Sequence, residues 1–213
     1  MLIRKDYFDN GSLMGIWKMD ESIDELLKLF PPSIRSEADN YINSIGSKRR
    51  VIEWLSTRIM LFELLGEIKI IQNHEDGKPY LADNSYHISI SHTKDHAAIL
   101  LNKVYPVGID IEIKSDRVEK LAYKFISENE YIDPEKKILH QLLHWSAKEC
   151  MFKLINAQGI DFKKHLFIHK FTPSQNGIIT ATEYRTKETR TYNLHYEIHP
   201  EYVLTWVVDT LKN

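Results

Sequence analysis

The stretch VGIDIE, residues Val107–Glu112, alternates apolar residues with other residue types, which is typical of a β-strand. Successive side chains of a strand point to opposite faces, so the valine and the two isoleucines share one face while Asp110 and Glu112 lie side by side on the other. Two interpretations of this acidic pair are open. The strand is either amphipathic with its acids in water, or it offers two hard oxygen ligands to a divalent cation.

Helical patterns followed by strand patterns occupy the first half of the chain. Ser22 and Glu25 form a capping-box pattern that starts a short helix, and a longer helical pattern runs from near Ser47 to Gly66. After the turn EDGKP the period changes to two, so YHISISH, HAAILLN and PVGIDIEI are predicted to be three strands of an antiparallel meander. The first half is therefore predicted to be α+β.

The same order of helices and strands recurs in the second half. Capping-box patterns at Asp116 and Ser127 precede a helix of roughly 20 residues that ends at Gly159. Four segments rich in β-branched and aromatic residues follow: HLFIHKF, GIITATEY, TYNLHYEIH and YVLTWVVD. This recurrence predicts an α+β fold with a pseudo-two-fold duplication, in which residues 1–105 and 106–213 each pack helices on a mainly antiparallel sheet.

The composition is typical of a soluble globular protein. Of the 213 residues, 43% are hydrophobic and 27% charged, and no apolar run approaches the roughly 20 residues that a membrane helix needs. The N-terminus has no apolar stretch long enough for a secretory signal, and the single cysteine, Cys150, cannot form an internal disulfide, so a cytoplasmic location is expected. The net charge of −2 argues against a broadly basic nucleic-acid-binding protein.

The predicted long helix of the second half contains another informative stretch, HWSAKECMFKL. On a helical wheel its apolar residues, including Cys150, form a core-facing stripe around Ala147, whereas Trp145, Glu149 and Lys153 lie in one line on the opposite side. The glutamate and lysine are either an ordinary pair on a solvated face or, because large aromatic residues share that side, semi-buried groups. In the second case Glu149 supplies a third carboxylate for a magnesium site.

VGIDIE and WSAKECMFK together resemble the paired signature of the 4′-phosphopantetheinyl transferase superfamily, whose members load carrier proteins with the arm of coenzyme A. Three further segments resemble that family in order and spacing: GKPYL at residues 77–81, SISH at 89–92 and KFISENEY at 124–131. The flanking strands suit the longer, pseudo-dimeric, surfactin-synthetase-activating type. The resemblance implies a monomer of two similar halves, with an active site in the cleft between them. That site would transfer 4′-phosphopantetheine to a serine of an apo acyl, peptidyl or aryl carrier protein and release 3′,5′-ADP.

The same resemblance implies roles for the acidic residues. Asp110, Glu112 and Glu149 would hold Mg²⁺, or Mn²⁺ in its place, against the pyrophosphate of coenzyme A. Glu149 is also the candidate base that takes the proton of the carrier serine, directly or through a metal-bound water. Lys153 would contact the pyrophosphate and support the departure of 3′,5′-ADP.

The residues implied to bind the rest of coenzyme A are basic or polar. Ser91 and His92 are expected near the 3′-phosphate and the nucleotide, and Lys78 at the adenine nucleotide. Lys148 is expected to join Lys153 among the coenzyme A contacts.

An arginine early in the first long helix should meet the 3′-phosphate. Arg49 and Arg50 are adjacent, and the sequence does not tell which of them is aligned with the family. Arg49 is the predicted contact because it lies opposite the apolar stripe of its helix. Nearer the N-terminus, Lys28 and Arg35 are candidates for further basic contacts.

Two other functions fit part of the sequence. Asp110, Glu112 and Lys114 resemble the acid-x-Lys core of metal-dependent nucleases, which activate water against a phosphodiester. A non-catalytic binder of coenzyme A or of a carrier protein is the other alternative, and the intact acids at positions 110, 112 and 149 argue against it. His140 and His144 have a zinc-compatible spacing but lack the glutamate of an H-E-x-x-H motif, so no zinc site is expected there.

A surface for the carrier protein is expected on VEKLAYKFI, residues 118–126, which lies close to the carrier-docking region of the family it resembles. An acidic carrier helix would suit Lys120 and Lys124 together with the apolar residues beside them. The sequence does not distinguish fatty-acid, polyketide and nonribosomal peptide carriers.

Overall fold

The computed structural model describes residues 1–155 and 157–210, and the chain divides into two compact units. The first unit spans Met1–Val104, and the second begins at Tyr105, one residue before the predicted boundary. Residues 156 and 211–213, which belong to the predicted second half, lie outside the described residues. Both units combine helices with antiparallel sheets, which confirms the predicted α+β class, whereas the pseudo-two-fold duplication stays a prediction.

Strands and helices of the first unit alternate less regularly than the sequence pattern indicates. They are β1 (Leu2–Tyr7), β2 (Leu13–Lys18), α1 (Ile23–Leu29), α2 (Arg35–Ser44), α3 (Lys48–Leu65), β3 (Ile71–Asn73), β4 (Pro79–Leu81), β5 (His87–His92) and β6 (His96–Asn102). The four longer strands form an antiparallel sheet in the order β1-β2-β6-β5, and β3 pairs with β4 in a separate hairpin. One short 3-10 helix, Pro32–Ile34, precedes α2.

Local signals in the sequence set the ends of the helices in the first unit. Ser22 and Glu25 form the predicted capping box, because the serine hydroxyl accepts from the Glu25 N–H and the glutamate carboxylate accepts from the Ser22 N–H. Ser47 caps α3, and Gly66 ends it in the left-handed conformation with a φ of 69°. The predicted helix between Ser47 and Gly66 is therefore confirmed.

The second unit places its strands in one antiparallel sheet covered by helices. Its elements are β7 (Val107–Ile113), α4 (Arg117–Phe125), α5 (Lys137–Leu154), α6 (Phe162–His165), β8 (Leu166–Ile168), β9 (Asn176–Glu183), β10 (Thr191–Ile198) and β11 (Tyr202–Val208). The strand order is β7-β11-β10-β9-β8. In neither unit does the described part of the chain contain a helix that is long and apolar enough to cross a membrane.

The strand that holds VGIDIE does not continue the first sheet. The predicted meander puts it next to HAAILLN, but β7 pairs instead with β11, with Asp110 opposite Thr205 and Glu112 opposite Val203. The meander prediction was therefore wrong at this strand. Alternation of apolar residues indicates that a segment is a strand, but it does not identify a partner strand that lies far away in the sequence.

Helix ends in the second unit also differ from the prediction. The Asp116 side chain makes no capping hydrogen bond at α4, and the Glu130 carboxylate accepts the Ser127 N–H at 2.7 Å within a loop. The long helix ends at Leu154 rather than at Gly159. Capping-box patterns occur in loops as well, because a hydrogen bond from a side chain to a nearby backbone group needs only a local turn.

Candidate active site

A close contact between α5 and β7 brings the predicted catalytic side chains together. A side chain at Gly108 would overlap the carbonyl oxygen of Cys150, so only glycine lets the helix lie this close to the strand. Ala147, Cys150 and Met151 face the core of the second unit, as the helical wheel predicts. The other side of α5 is therefore free to carry polar groups toward the edge of the sheet formed by β7.

Lys153 of α5 reaches the acidic strand. Its ammonium donates to Asp110 Oδ1 at 2.7 Å and to the carbonyl oxygen of Ile109 at 3.0 Å. The Asp110 side chain is only 4% exposed, and a buried carboxylate at this depth needs a compensating charge. Lys153 supplies that charge.

Glu112 is the second acid of β7, and an indole of α5 holds it in place. Trp145 Nε1 donates to Glu112 Oε1 at 2.8 Å, and the Trp145 ring packs edge-on against Phe125 with ring centroids 5.1 Å apart. Burial, followed by the negative charge of Asp110, raises the pKa of Glu112 to about 7, although the Trp145 hydrogen bond and Lys153 oppose the shift. Glu112 is thus a carboxylate that titrates near neutral pH.

Glu149 is the third acid, and it lies close enough to the other two to sense their charges. Burial is the largest cause that raises the pKa of Glu149 to about 7; the charges of Asp110 and Glu112 also raise it, whereas Lys153 lowers it. The predicted semi-buried environment of Glu149 and Lys153 is found in the structure. A carboxylate with a pKa near 7 can accept a proton at neutral pH and release it again.

The three carboxylates of Asp110, Glu112 and Glu149 fit a divalent cation in their chemistry. They are oxygen donors, and their mutual repulsion, which contributes to the raised pKa values of both glutamates, is the interaction that a bound cation would relieve. Nevertheless, no group of three or more His, Cys, Asp or Glu side chains within residues 1–155 and 157–210 is arranged to hold a metal ion. Metal binding would require these side chains to rearrange, and magnesium stays a prediction.

Lys148 is adjacent to Glu149 in the sequence, but its side chain pairs with Glu130 instead of joining the group of Asp110, Glu112 and Glu149. Its side chain is 0% exposed, and its ammonium donates to the Phe125 carbonyl at 2.6 Å, to Glu130 Oε2 at 2.8 Å and to the Phe162 carbonyl at 3.1 Å. All three ammonium hydrogens are used inside the unit. The predicted contact of Lys148 with coenzyme A has no support from this placement, and Lys148 acts instead as an internal tie between the end of α4, the following loop and α6.

A cavity of about 440 Å³ lies in the first unit. Its walls come from α2, α3, the β3–β4 hairpin and β5. The lining residues include Arg50, Trp54, Thr57, Arg58, Gly77 and His92. This volume is within the range of small-molecule sites, and the mixture of arginine, histidine and aromatic groups is suited to an anionic ligand with an apolar part.

An arginine stacked on aromatic rings forms one wall of this cavity. The Arg58 guanidinium lies 3.7 Å from the centre of the Trp54 ring, whose other neighbours include the stacked ring of Tyr41 at 4.6 Å. Burial lowers the pKa of Arg58 to about 10, so the group remains protonated at neutral pH. A positively charged side chain is thereby fixed at the cavity surface.

Only some of the residues that were predicted to bind coenzyme A line this cavity. His92 and Arg50 line it, whereas Arg49 does not and pairs with Glu53 Oε1 at 2.8 Å through a side chain that is 62% exposed. Lys78 sits in the turn between two lining residues, and Ser91 is buried beside His92 on β5. The geometry favours Arg50 over the predicted Arg49, and the choice remains to be tested.

Several cavity residues were not identified from the sequence. Trp54, Thr57 and Arg58 lie on α3 and line the cavity, yet none belongs to a motif. Their spacing from Arg50 by four, seven and eight residues puts all of them on one side of a helix, and this periodicity was the signal that could have found them. Outside the cavity lining, Lys28 is an exposed residue of α1, and Arg35 pairs with Asp39.

Residues 106–207 match the family model described as the 4′-phosphopantetheinyl transferase superfamily, which confirms the resemblance of the motifs in that segment. The chain is 32% identical over 123 residues to the 4′-phosphopantetheinyl transferase gsp of Aneurinibacillus migulanus, covering 54% of this chain and 51% of that relative. It is 28% identical over 137 residues to the 4′-phosphopantetheinyl transferase psf-1 of Bacillus pumilus, covering 60% and 58% of the two chains. The chain thus spans about half the length of the curated relatives it matches.

Proposed function

We propose that this protein transfers the 4′-phosphopantetheine arm of coenzyme A to a serine of an apo acyl, peptidyl or aryl carrier protein, giving holo carrier protein and 3′,5′-ADP. The observation that carries the proposal is the group formed by Asp110, Glu112, Glu149 and Lys153, which lies inside the segment that matches the superfamily. Carboxylates that can hold a divalent cation, with a lysine beside them, are suited to a metal-assisted phosphoryl transfer.

Glu149 is the proposed general base. The serine hydroxyl of the carrier must lose its proton as its oxygen attacks the β-phosphorus of coenzyme A, and a carboxylate with a pKa of about 7 is matched to that task at neutral pH. Asp110, Glu112 and Glu149 would together hold Mg²⁺, or Mn²⁺ in its place. The bound cation would supply charge neutralisation at the pyrophosphate oxygens.

Lys153 is proposed to assist the leaving group. The bond that breaks joins the β-phosphorus to the oxygen that leaves with 3′,5′-ADP, so negative charge grows on the leaving phosphate. The Lys153 ammonium, already held beside Asp110 at 2.7 Å, provides a positive charge for that phosphate.

The cavity of the first unit is proposed to take the nucleotide end of coenzyme A. Arg50 and His92 would meet the 3′-phosphate, with Ser91 nearby and Lys78 at the adenine nucleotide, and Arg49 remains the alternative to Arg50. The presence of Arg50, His92 and the charged Arg58 in the lining supports this assignment.

The carrier protein is proposed to dock on α4. Leu121 and Tyr123 are 43% and 68% exposed, and Lys120 and Lys124 are exposed on the same helix. Apolar side chains between lysines suit an acidic carrier helix. We further propose a monomer that acts in the cytoplasm, in line with its one cysteine, which is free and buried.

The test is incubation of the protein with coenzyme A, Mg²⁺ and a panel of apo carrier proteins, scored by intact mass. At least one carrier should gain the mass of the phosphopantetheine arm, and a chelator should stop the gain. The nuclease alternative predicts cleavage of DNA or RNA with Mg²⁺ instead; against it, Lys114 is exposed and lies beyond the end of β7. Tight coenzyme A binding without transfer to any carrier would indicate the non-catalytic binder.

A further inference from the structure

Arg58 differs from most arginines of the first unit in having no acidic partner. Arg4, Arg35 and Arg49 each pair with a carboxylate, and Arg50 is exposed to solvent. Arg58 is partly buried, yet within the part of the chain that the structure describes no carboxylate lies at ion-pair distance from its guanidinium. A charge that is moved out of water without a counter-ion is costly, so its position needs an explanation.

The packing of Arg58 fixes the direction of its N–H groups. The guanidinium carbon lies 3.7 Å from the centre of the Trp54 ring, and the two planes must be nearly parallel at this distance, because an edge-on guanidinium would overlap the ring. The five N–H groups therefore point sideways, past the edge of the indole. Two of them donate to the carbonyl oxygens of Trp54 and Ile71 at 3.3 and 3.4 Å, and the other three have no hydrogen-bond partner among the described residues.

These three donors belong to a side chain that lines the cavity, and the other charges of the lining do not balance it. Glu53 also lines the cavity, but Arg49 pairs with it at 2.8 Å. Arg50 adds a second positive charge to the lining. Burial lowers the pKa of Arg58 to about 10 and outweighs the opposing charges near it, so the guanidinium is protonated but poorly compensated. The excess of positive charge favours an anionic ligand.

We propose that Arg58 is a specificity-determining residue of the cavity, whose guanidinium edge donates hydrogen bonds to a phosphate group and so selects a phosphate-bearing nucleotide over one that lacks this phosphate. The inference rests on the proposed function in one respect, namely that the ligand is the nucleotide end of coenzyme A and the phosphate its 3′-phosphate. Phosphate oxygens accept hydrogen bonds, and the planar fork of an arginine matches two of them. Because the stack on Trp54 already orders the fork, little rotational freedom is lost on binding.

Arg58→Met tests the proposal, because methionine keeps an apolar chain over Trp54 and removes the charged donors. The variant should bind coenzyme A about 30-fold more weakly than the wild type does. Its affinity for 3′-dephospho-coenzyme A, which lacks the phosphate in question, should change by less than about twofold. Calorimetry with each compound measures both affinities without any carrier protein. Equal losses for the two compounds would show a general packing effect and would overturn the proposal.

Two further variants separate the planar fork from the charge. Arg58→Lys keeps a cation but not the fork, so its preference for coenzyme A over the dephospho form should lie between those of the wild type and Arg58→Met. Arg4→Met is the matched control, because it removes an arginine of the same unit that lies outside the cavity lining and donates to Asp6 Oδ2 at 2.6 Å. Both affinities should be unchanged in this control. A loss equal to that of Arg58→Met would show a response to overall charge alone and would contradict the proposal.

NMR of the wild type tests the contact without any variant. The Nε–H signal of Arg58 should shift when 3′,5′-ADP is added to saturation, and it should shift much less with adenosine 5′-monophosphate. An unmoved signal in the protein saturated with 3′,5′-ADP would sink the inference, as would a wild type that binds both forms of coenzyme A equally. Absence of transfer to every carrier would instead refute the proposed function alone, because none of these measurements uses the transfer reaction.

Discussion

Lys153 Nζ lies 2.7 Å from Asp110 Oδ1, so a single lysine of α5 neutralises the central acid of β7. The same ammonium also donates to the Ile109 carbonyl at 3.0 Å, which fixes it against the backbone of the strand. An ion pair therefore holds α5 against β7 at the acidic group, in addition to the packing between them.

Lys153→Met should lower turnover about 100-fold, because it removes the cation that is proposed to meet the leaving phosphate. The variant should also melt at a lower temperature in the absence of metal, since Asp110 loses its partner. Added Mg²⁺ should raise the melting temperature of this variant more than that of the wild type, because the metal replaces the lost positive charge. Transfer kinetics and thermal melts with and without Mg²⁺ measure both effects; unchanged turnover would remove Lys153 from the mechanism.

The contribution of Glu112 and Glu149 to the stability of the metal-free protein should fall as the pH rises from about 4.5 to about 7, whereas His140, whose pKa burial lowers to about 4, contributes the opposite slope. Folded Glu112 and Glu149 have pKa values of about 7 against ordinary values of 4.5, so the folded state binds more protons than the unfolded state in this window. By linkage, the stabilisation from these two carboxyl groups is fully present below their ordinary pKa of 4.5. It is lost as the pH rises through their folded pKa of about 7. Glu149→Gln cannot ionise, so the stability of this variant relative to the wild type should rise with pH across the same window.

Thermal melts across this pH range in the presence of a chelator make the measurement. Glu119→Gln is the control, because Glu119 is an exposed carboxylate of α4 and its loss should leave the slope as it is. A Glu149→Gln profile parallel to that of the wild type would show that this carboxylate does not carry the effect.

Asp110→Ala, Glu112→Ala and Glu149→Ala should each lower turnover by orders of magnitude while the fold is kept. If all three are ligands of one metal, excess Mg²⁺ should partly rescue the Asp110 and Glu112 variants by refilling a weakened site. It should not rescue Glu149→Ala, which also lacks the proton acceptor. Rate against Mg²⁺ concentration distinguishes the roles: near-normal turnover in either strand variant would return VGIDIE to an ordinary amphipathic strand, and rescue of Glu149→Ala would exclude Glu149 as the base.

Arg50→Ala should raise the Michaelis constant for coenzyme A about tenfold and leave turnover of the bound complex nearly unchanged, since Arg50 lines the cavity that is proposed to take the nucleotide end rather than the reacting phosphorus. Arg49→Ala is the neighbouring control, because Arg49 is largely exposed and pairs with Glu53. Comparison of coenzyme A with its 3′-dephospho form should show a smaller preference in Arg50→Ala. The opposite ranking of the two variants would reinstate the arginine predicted from the sequence.

Lys148→Met should destabilise the protein by about 3–5 kcal/mol, because it leaves the buried carboxylate of Glu130 without its cation. Lys137→Met, at an exposed pair with Glu119, should leave the melting temperature unchanged. Denaturant unfolding followed by circular dichroism gives both values. A stable Lys148→Met variant with weakened coenzyme A binding would support the contact predicted from the sequence.

Signals that act over one or two helical turns predicted the structure well. The capping box at Ser22 and Glu25, the cap at Ser47 and the stop at Gly66 need only neighbouring residues, and all are present. The two faces of α5 were also predictable, because a helical wheel separates Ala147 and its apolar neighbours from the acidic side.

Features that depend on distant residues could not be predicted from one sequence. The pairing of β7 with β11 and the burial of Lys148 are both set by segments far away in the chain. A lysine in the middle of an amphipathic helix usually reaches water, and only the position of the Glu130 loop shows that this one does not. The cavity of the first unit likewise needs α2, α3 and three strands to be brought together.

The contact between Gly108 and the Cys150 carbonyl sets the distance between β7 and α5 at the proposed catalytic group. A rigid helix moves as a rod, so a single methyl at position 108 would shift its whole charged side outward and lengthen the reach of Lys153 to Asp110. Such a change alters no ionisable group and removes no hydrogen-bonding atom. The absence of a side chain at position 108 thus sets the distance from Lys153 to Asp110, and the addition of one carbon there would disrupt the acidic group without changing any of its members.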